Sequence, residues 1–168
     1  MARADGALLA INANFFDAGK KPLGLVIRNR TILNPLRPVS WWGVFYTRGN
    51  EAHIVSQAAF TASDQLESAI QSGPRLIEGG EIISGLKPGA SPKSFLCIAS
   101  SGEVVIGISQ DYLPVDTLTS FLKHDLACKS ALNLDGGSSS QLYAKIGSFE
   151  LDLPSPVKVP VMLGVFKP

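Results

Sequence analysis

Cysteine is scarce in this chain of 168 residues: Cys97 and Cys128 are its only two. Two cysteines cannot build the disulfide framework of a small secreted scaffold, and they lack the paired spacing of a zinc site. Both lie in apolar settings, Phe95-Leu96-Cys97-Ile98 and Leu126-Ala127-Cys128, which predicts buried free thiols and leaves a single bridge open. An excess of one charge is also missing, with 15 basic against 14 acidic side chains. That balance argues against a nucleic-acid partner and against a polybasic membrane surface. No apolar run approaches the roughly 20 residues needed to cross a bilayer, so no transmembrane segment is expected. Met1-Ala2-Arg3-Ala4-Asp5-Gly6 contains no hydrophobic leader core and is not expected to be a signal peptide. Localisation is unreadable on these grounds, and export stays open if a leader has been trimmed. The two histidines, His53 and His124, stand alone and read as surface residues of a strand and a helix.

What the chain does contain is glycine, proline and apolar residues: 16, 11 and 45% respectively. That mixture predicts short strands and many turns in one domain over residues 1–168. Strands are expected at Ala7–Ile11, Leu23–Arg28, Trp41–Thr47, Ala52–Ser56, Lys93–Ala99 and Glu103–Ile108, the last two joined by Ser100-Ser101-Gly102. Val157–Phe166 is a continuous apolar run and reads as a final strand, central in its sheet. Two segments read as helices. Ser63–Gln71 begins with a capping serine and with Asp64 and Glu67 near its positive end, and sets Leu66, Ala69 and Ile70 on one face. Pro114–Ala127 places Leu118, Phe121, Leu122 and Leu126 on another. The expected class is α+β, a mixed and mostly antiparallel sheet with about two principal helices packed on it.

The stretch around which the chain is organised is Ala131-Leu132-Asn133-Leu134-Asp135-Gly136-Gly137-Ser138-Ser139-Ser140. An apolar strand runs into one carboxylate, Asp135, followed by Gly136 and Gly137, which permit a positive φ and close approach of a ligand. Ser138 and Ser139, with the N–H groups of the turn, can donate to an anion or a sugar hydroxyl. Asp-Gly is equally a strong hairpin signal, so the turn alone decides nothing. Three further places carry candidate chemistry. Asn12 and Asn14 share one face of an extended strand and can present amides. Gln71-Ser72-Gly73-Pro74 delivers Arg75 after a rigid turn, where its fork suits an oxyanion; a salt bridge with Glu78 is the plain alternative. Lys93, followed by Ser94, opens a strand where a cation can face a site.

In this order the motifs Asn12-Ala13-Asn14-Phe15-Phe16-Asp17, Gly24-Leu25-Val26-Ile27, Gln71-Ser72-Gly73-Pro74-Arg75-Leu76, Ala131–Ser139 and Val159–Val165 resemble the phosphodiester glycosidase domain. That is the family of the lysosomal enzyme that uncovers mannose 6-phosphate, and its bacterial relatives are often labelled exopolysaccharide-biosynthesis proteins, which would place the chain at the cell envelope. The resemblance implies hydrolysis between a sugar anomeric carbon and a phosphate, with a sugar phosphodiester or phosphate-linked glycan as partner. It implies Asp135 as nucleophile or general base, with Asp17 or Glu78 as a second carboxylate. Arg75, Lys93, Ser94, Ser138, Ser139 and the Gly136-Gly137 turn would bind phosphate, while Asn12, Asn14, Gln71, Ser72 and Gly73 would orient the substrate. At Lys93 the family pattern usually has arginine, and lysine keeps the charge without the planar fork. No metal or other cofactor is expected. A non-catalytic carbohydrate-binding or polysaccharide-assembly protein is the alternative on the same fold, and a metal phosphodiesterase ranks third.

Overall fold

The computed structural model describes residues 6–63 and 65–167. In chain order the strands are β1 (Leu9–Asn12), β2 (Val26–Arg28), β3 (Thr31–Asn34), β4 (Gly43–Arg48), β5 (Glu51–Ser56), β6 (Ser68–Ser72), β7 (Arg75–Glu78), β8 (Glu81–Ile82), β9 (Ala90–Ala99) and β10 (Val104–Pro114). A helix, α1 (Val115–His124), precedes β11 (Cys128–Asn133), β12 (Leu142–Ile146), β13 (Phe149–Leu153) and β14 (Met162–Val165). They form three sheets with orders β13-β12-β1-β14, β10-β9-β11-β7-β8 and β3-β2-β6-β4-β5. Pairing is antiparallel throughout these sheets.

The three sheets meet in one core. Ile11, Phe45, Ile70, Leu96, Leu132, Leu134 and Leu142, one or more from each sheet, are buried together. Burial of each such side chain contributes about 1.5–3 kcal/mol, so the end of β11 is held from three sides. A second cluster joins the outer face of the middle sheet to α1 through Leu76, Phe95, Leu118 and Leu122. Asp116 in the first turn of α1, with Lys123 and His124 in its last, complements the helix dipole. No helix among the described residues is long and apolar enough to cross a membrane.

The α+β expectation with two principal helices is wrong: the architecture is antiparallel β with one helix among the described residues. The error lies at Ser63–Gln71. Ser68–Ser72 is the middle strand of the third sheet, with Ile70 level with Val26 on one side and Phe45 on the other. Ala69, Ile70, Gln71 and Ser72 are all buried. A strand covered on both faces shows no alternation, so its apolar residues satisfy a helical template by coincidence. Ser63 forms no cap, its hydroxyl being buried without a partner, and Asp64 lies outside the described residues. Glu67 instead faces Arg30 at 3.5 Å.

Two smaller corrections follow from pairing. Val157–Phe166 is not a central strand: only Met162–Val165 pairs, at a sheet edge against β1. Pro160 has no N–H for a ladder and sits just before it, and the run is apolar because Val161 and Leu163 reach the shared core. Cys97 and Cys128 are not free thiols. They form a disulfide between neighbouring β9 and β11, with Cα atoms 5.8 Å apart.

Candidate active site

β11 delivers Asp135 to the surface between two sheets. Leu134 is fully buried, and its N–H donates to the Ser94 carbonyl at 2.8 Å, which brings Asp135 level with Lys93 on β9. The chain does not form a hairpin there. A 3-10 turn over Gly137–Ser139 carries it from the middle sheet into β12 of another sheet. Each glycine has its own reason. A Cβ at Gly136 would lie 2.9 Å from the Pro92 carbonyl oxygen, and Gly137 has φ +61°.

Asn12 locks this turn. Its Oδ1 accepts from Ser94 Oγ at 2.8 Å and from the Gln141 N–H at 3.0 Å. Its Nδ2 donates to the Asp135 carbonyl, and the Asp135 N–H donates to the Ala13 carbonyl at 3.0 Å. Asn12 thus ties β1, β9 and the turn together and is fully buried. Asn14 donates to the carbonyls of Leu25 and Gln71 at 3.1 and 2.8 Å. Gln71 is engaged with Leu25 and Arg37. These three amides, which the sequence assigns to sugar hydroxyls, face inward and brace backbone.

Burial pushes the Asp135 carboxyl above its ordinary range, while hydrogen bonding from Ser139 and the Gly136 backbone pulls it back down. Burial also lowers the Lys93 ammonium, which is only 8% exposed and donates to Ser91 Oγ at 2.9 Å. Lys93 forms no ion pair among the described residues, so a cation is held largely out of water on the strand position across from Asp135. Ser139 is buried and Ser138 exposed.

On the other side of β11, the Asn133 N–H donates to the Pro74 carbonyl at 2.9 Å and its Nδ2 to the Gly73 carbonyl at 3.2 Å. The Ser72-Gly73-Pro74-Arg75 turn is therefore fixed against the strand that ends in Asp135. Arg75 packs its stem over Gly43, where a Cβ would lie 2.7 Å from Cγ. Its guanidinium pairs with Glu78, so the salt bridge set out as the plain alternative is formed. Buried Ser72 Oγ, Asn14 Oδ1 and Arg75 Nε have no hydrogen-bond partner. Asp17 accepts from the Lys21 N–H at 2.9 Å within its own exposed loop. Hollows of about 450 and 370 Å³ lie along α1, and neither includes Asp135. Gln141, Ser91 and Asn133 escaped the sequence reading; Asn133, two residues before Asp135, was the one with a positional signal.

Residues 5–166 match the phosphodiester glycosidase family. An uncharacterised Escherichia coli K12 protein, YigE, is 31% identical over 154 residues, covering 83% of this chain and 59% of its own length. Among solved structures, the catalytic domain of zebrafish N-acetylglucosamine-1-phosphodiester alpha-N-acetylglucosaminidase, auto-inhibited by its pro-peptide, superposes with a TM-score of 0.75 at 17% identity. That likeness covers 99% of this chain and 66% of the other. A hypothetical protein from Synechocystis gives 0.60 at 15% identity, over 97% and 51%. The chain thus spans less than two thirds of each of these proteins.

Proposed function

The chain belongs to the phosphodiester glycosidase family, and on that premise we propose that it hydrolyses a glycosyl phosphodiester by breaking the bond between the anomeric carbon and the phosphate oxygen. The observation that carries this reading is the backbone register that sets Asp135, a half-buried carboxyl of raised pKa, across from Lys93, a buried ammonium that forms no ion pair among the described residues. A phosphate monoester leaves readily, so a strong general acid matters less than in an ordinary glycoside. What the reaction needs is a base or nucleophile beneath the anomeric carbon and cationic donors around the departing phosphate.

Asp135 serves as nucleophile or as base toward water. Lys93, the Ser138 and Ser139 hydroxyls and the N–H groups of Gly136 and Gly137 hold the phosphate. Ser94 and Asn12 act behind them by fixing the turn, while Asn14 and Gln71 fix the Ser72–Arg75 side. Arg75 joins the phosphate site through its terminal guanidinium nitrogens if Glu78 releases it, and Glu78 then offers a second carboxylate.

Incubation with a glycosyl-1-phosphodiester, followed by phosphorus NMR and reducing-sugar analysis, tests the reading. Free sugar plus a phosphate monoester is expected; a folded wild type that binds such diesters without turnover would instead favour the carbohydrate-binding alternative. A second expectation concerns Lys93. Because burial lowers its pKa, the protonated form destabilises the fold at neutral pH, and that cost starts to fall as pH rises through the lowered value and is gone only above the ordinary lysine range. Lys93→Met should therefore melt higher than wild type at pH 7 without phosphate. Wild type alone should gain from inorganic phosphate, by about 2.7 kcal/mol at a hundredfold excess over Kd. Equal gains in both proteins would remove Lys93 from the phosphate site.

A further inference from the structure

We propose that residues 34–42 form a leaving-group subsite, in which Arg37 binds an oxygen of the departing phosphate and Trp41 stacks on the ring of the alcohol attached to it. This rests on the glycosyl phosphodiester reading and supplies the half of the substrate which that reading leaves without a place.

The starting observation is Gln71. A fully buried glutamine must have its amide satisfied, and this one is satisfied mostly by Arg37. Its Oε1 accepts from the N–H groups of Leu25 at 3.0 Å and Arg37 at 2.9 Å, and its Nε2 donates to the Arg37 carbonyl at 2.7 Å. Asn34 fastens the start of the same segment, donating to the carbonyls of Pro22 and Gly24 at 3.0 and 2.8 Å. Pro35 and Pro38 restrict the backbone on either side. The core thus holds the Arg37 backbone still.

The guanidinium, by contrast, is exposed and pairs with no carboxylate among the described residues. It lies over the Trp42 ring, whose centroid is 6.0 Å away. Trp42 is buried against Gly73, where a Cβ would come within 2.4 Å of its Cδ1. Gly73 is the residue whose carbonyl Asn133 holds, and Phe15 stacks on Trp42 at 5.5 Å. Residues 13–15 and 133–135 therefore both lead from Asp135 to this arginine. An unpaired planar fork on a rigid backbone is suited to a phosphate oxygen, and Arg75, engaged by Glu78, is less free to play that part.

Trp41 completes the subsite. The residue is 55% exposed, its ring stands edge-on to Trp42 at 5.7 Å, and its carbonyl accepts from the Arg75 N–H at 3.2 Å. A single exposed aromatic needs no explanation in general. This one is fastened by its carbonyl to Arg75 and by its ring to a buried tryptophan that also carries the Arg37 guanidinium, and more than half of it is exposed. An exposed indole takes the C–H face of a pyranose or the plane of a nucleobase. The ligand class is a phosphate monoester carrying a flat-faced ring.

Trp41 and Trp42 are the only tryptophans in the chain, so intrinsic fluorescence reports on the subsite directly. The experiment titrates the protein with glucose 6-phosphate, with uridine 5′-monophosphate and with inorganic phosphate. A saturable change is expected with one ring-bearing ester, tighter than with inorganic phosphate, and the stronger arm identifies sugar or nucleoside. Arg37→Ala should weaken that binding about tenfold or more, and Trp41→Ala should abolish the preference for a ring over inorganic phosphate. No saturable change with either ester, or wild-type affinity in Arg37→Ala, overturns the proposal. If hydrolysis fails yet Arg37→Ala loses binding, the subsite stands and the reaction falls. If Asp135-dependent hydrolysis occurs and Arg37→Ala binds as wild type does, the subsite alone falls.

Discussion

Asp135→Asn is expected to lower turnover by about 10³-fold or more while raising the melting temperature at neutral pH. The two effects have one cause. Burial raises the Asp135 pKa in the folded protein, so the ionised form is disfavoured there relative to the unfolded chain. For an acid shifted upward, the penalty on folding grows as pH rises above the unfolded value of about 3.9, is complete above the folded value, and vanishes below the unfolded one. Asparagine carries no charge and can still accept from Ser139 and the Gly136 N–H, so the variant escapes the penalty. The melting-temperature difference should therefore be positive at pH 7 and shrink towards zero near pH 3. The acid limb of the wild-type activity profile should fall above the ordinary aspartate range and be absent from the residual activity of the variant. An inactive variant that is also less stable at pH 7 would mark Asp135 as a structural residue of the turn.

Removing the Cys97–Cys128 bridge should give the largest loss of stability from any surface-neutral change. The bridge closes a loop of 31 residues, for which loop-closure entropy predicts a contribution of about 3–4 kcal/mol. Both side chains are buried beside Phe95, Leu118 and Leu122, so the Cys97→Ala, Cys128→Ala double variant also leaves a small gap between β9, β11 and α1. Guanidinium unfolding of the double variant should show a midpoint about 1 M lower, and reductant should shift the wild type the same way. Because β11 carries Asp135 at its far end, activity should be lost on heating earlier in the variant than in the wild type. Identical midpoints with and without reductant would mean that the thiols are not bridged in solution.

Several parts of this molecule were legible in its sequence for definite reasons. The stretch ending in Asp135-Gly136-Gly137 stood out because an apolar strand running into an acid and two glycines is a common way to hold a charge at a sheet edge, and each glycine proves to have a steric or dihedral need. The β9–β10 hairpin was readable from its Ser-Gly turn, and α1 from a clean apolar stripe. β6 was not, because a strand buried on both faces carries no period-two signal and its apolar residues also fit a helix. Asn12, Asn14 and Gln71 were readable as special positions but not as inward-facing ones: alternation shows which residues share a face, not which face holds the core. The Arg75–Glu78 choice was open because both outcomes demand the same two residues. Arg37 had no signal at all, since an arginine between two prolines has no periodicity, and only the buried glutamine that grips its backbone reveals it.

The measurement that bears most directly on the central claim is hydrolysis of a glycosyl phosphodiester in water enriched in heavy oxygen. With Asp135 acting at the anomeric carbon, the label should appear in the released sugar and not in the phosphate monoester, and turnover should disappear in Asp135→Asn. Label in the phosphate would mean cleavage of the P–O bond and would contradict the account.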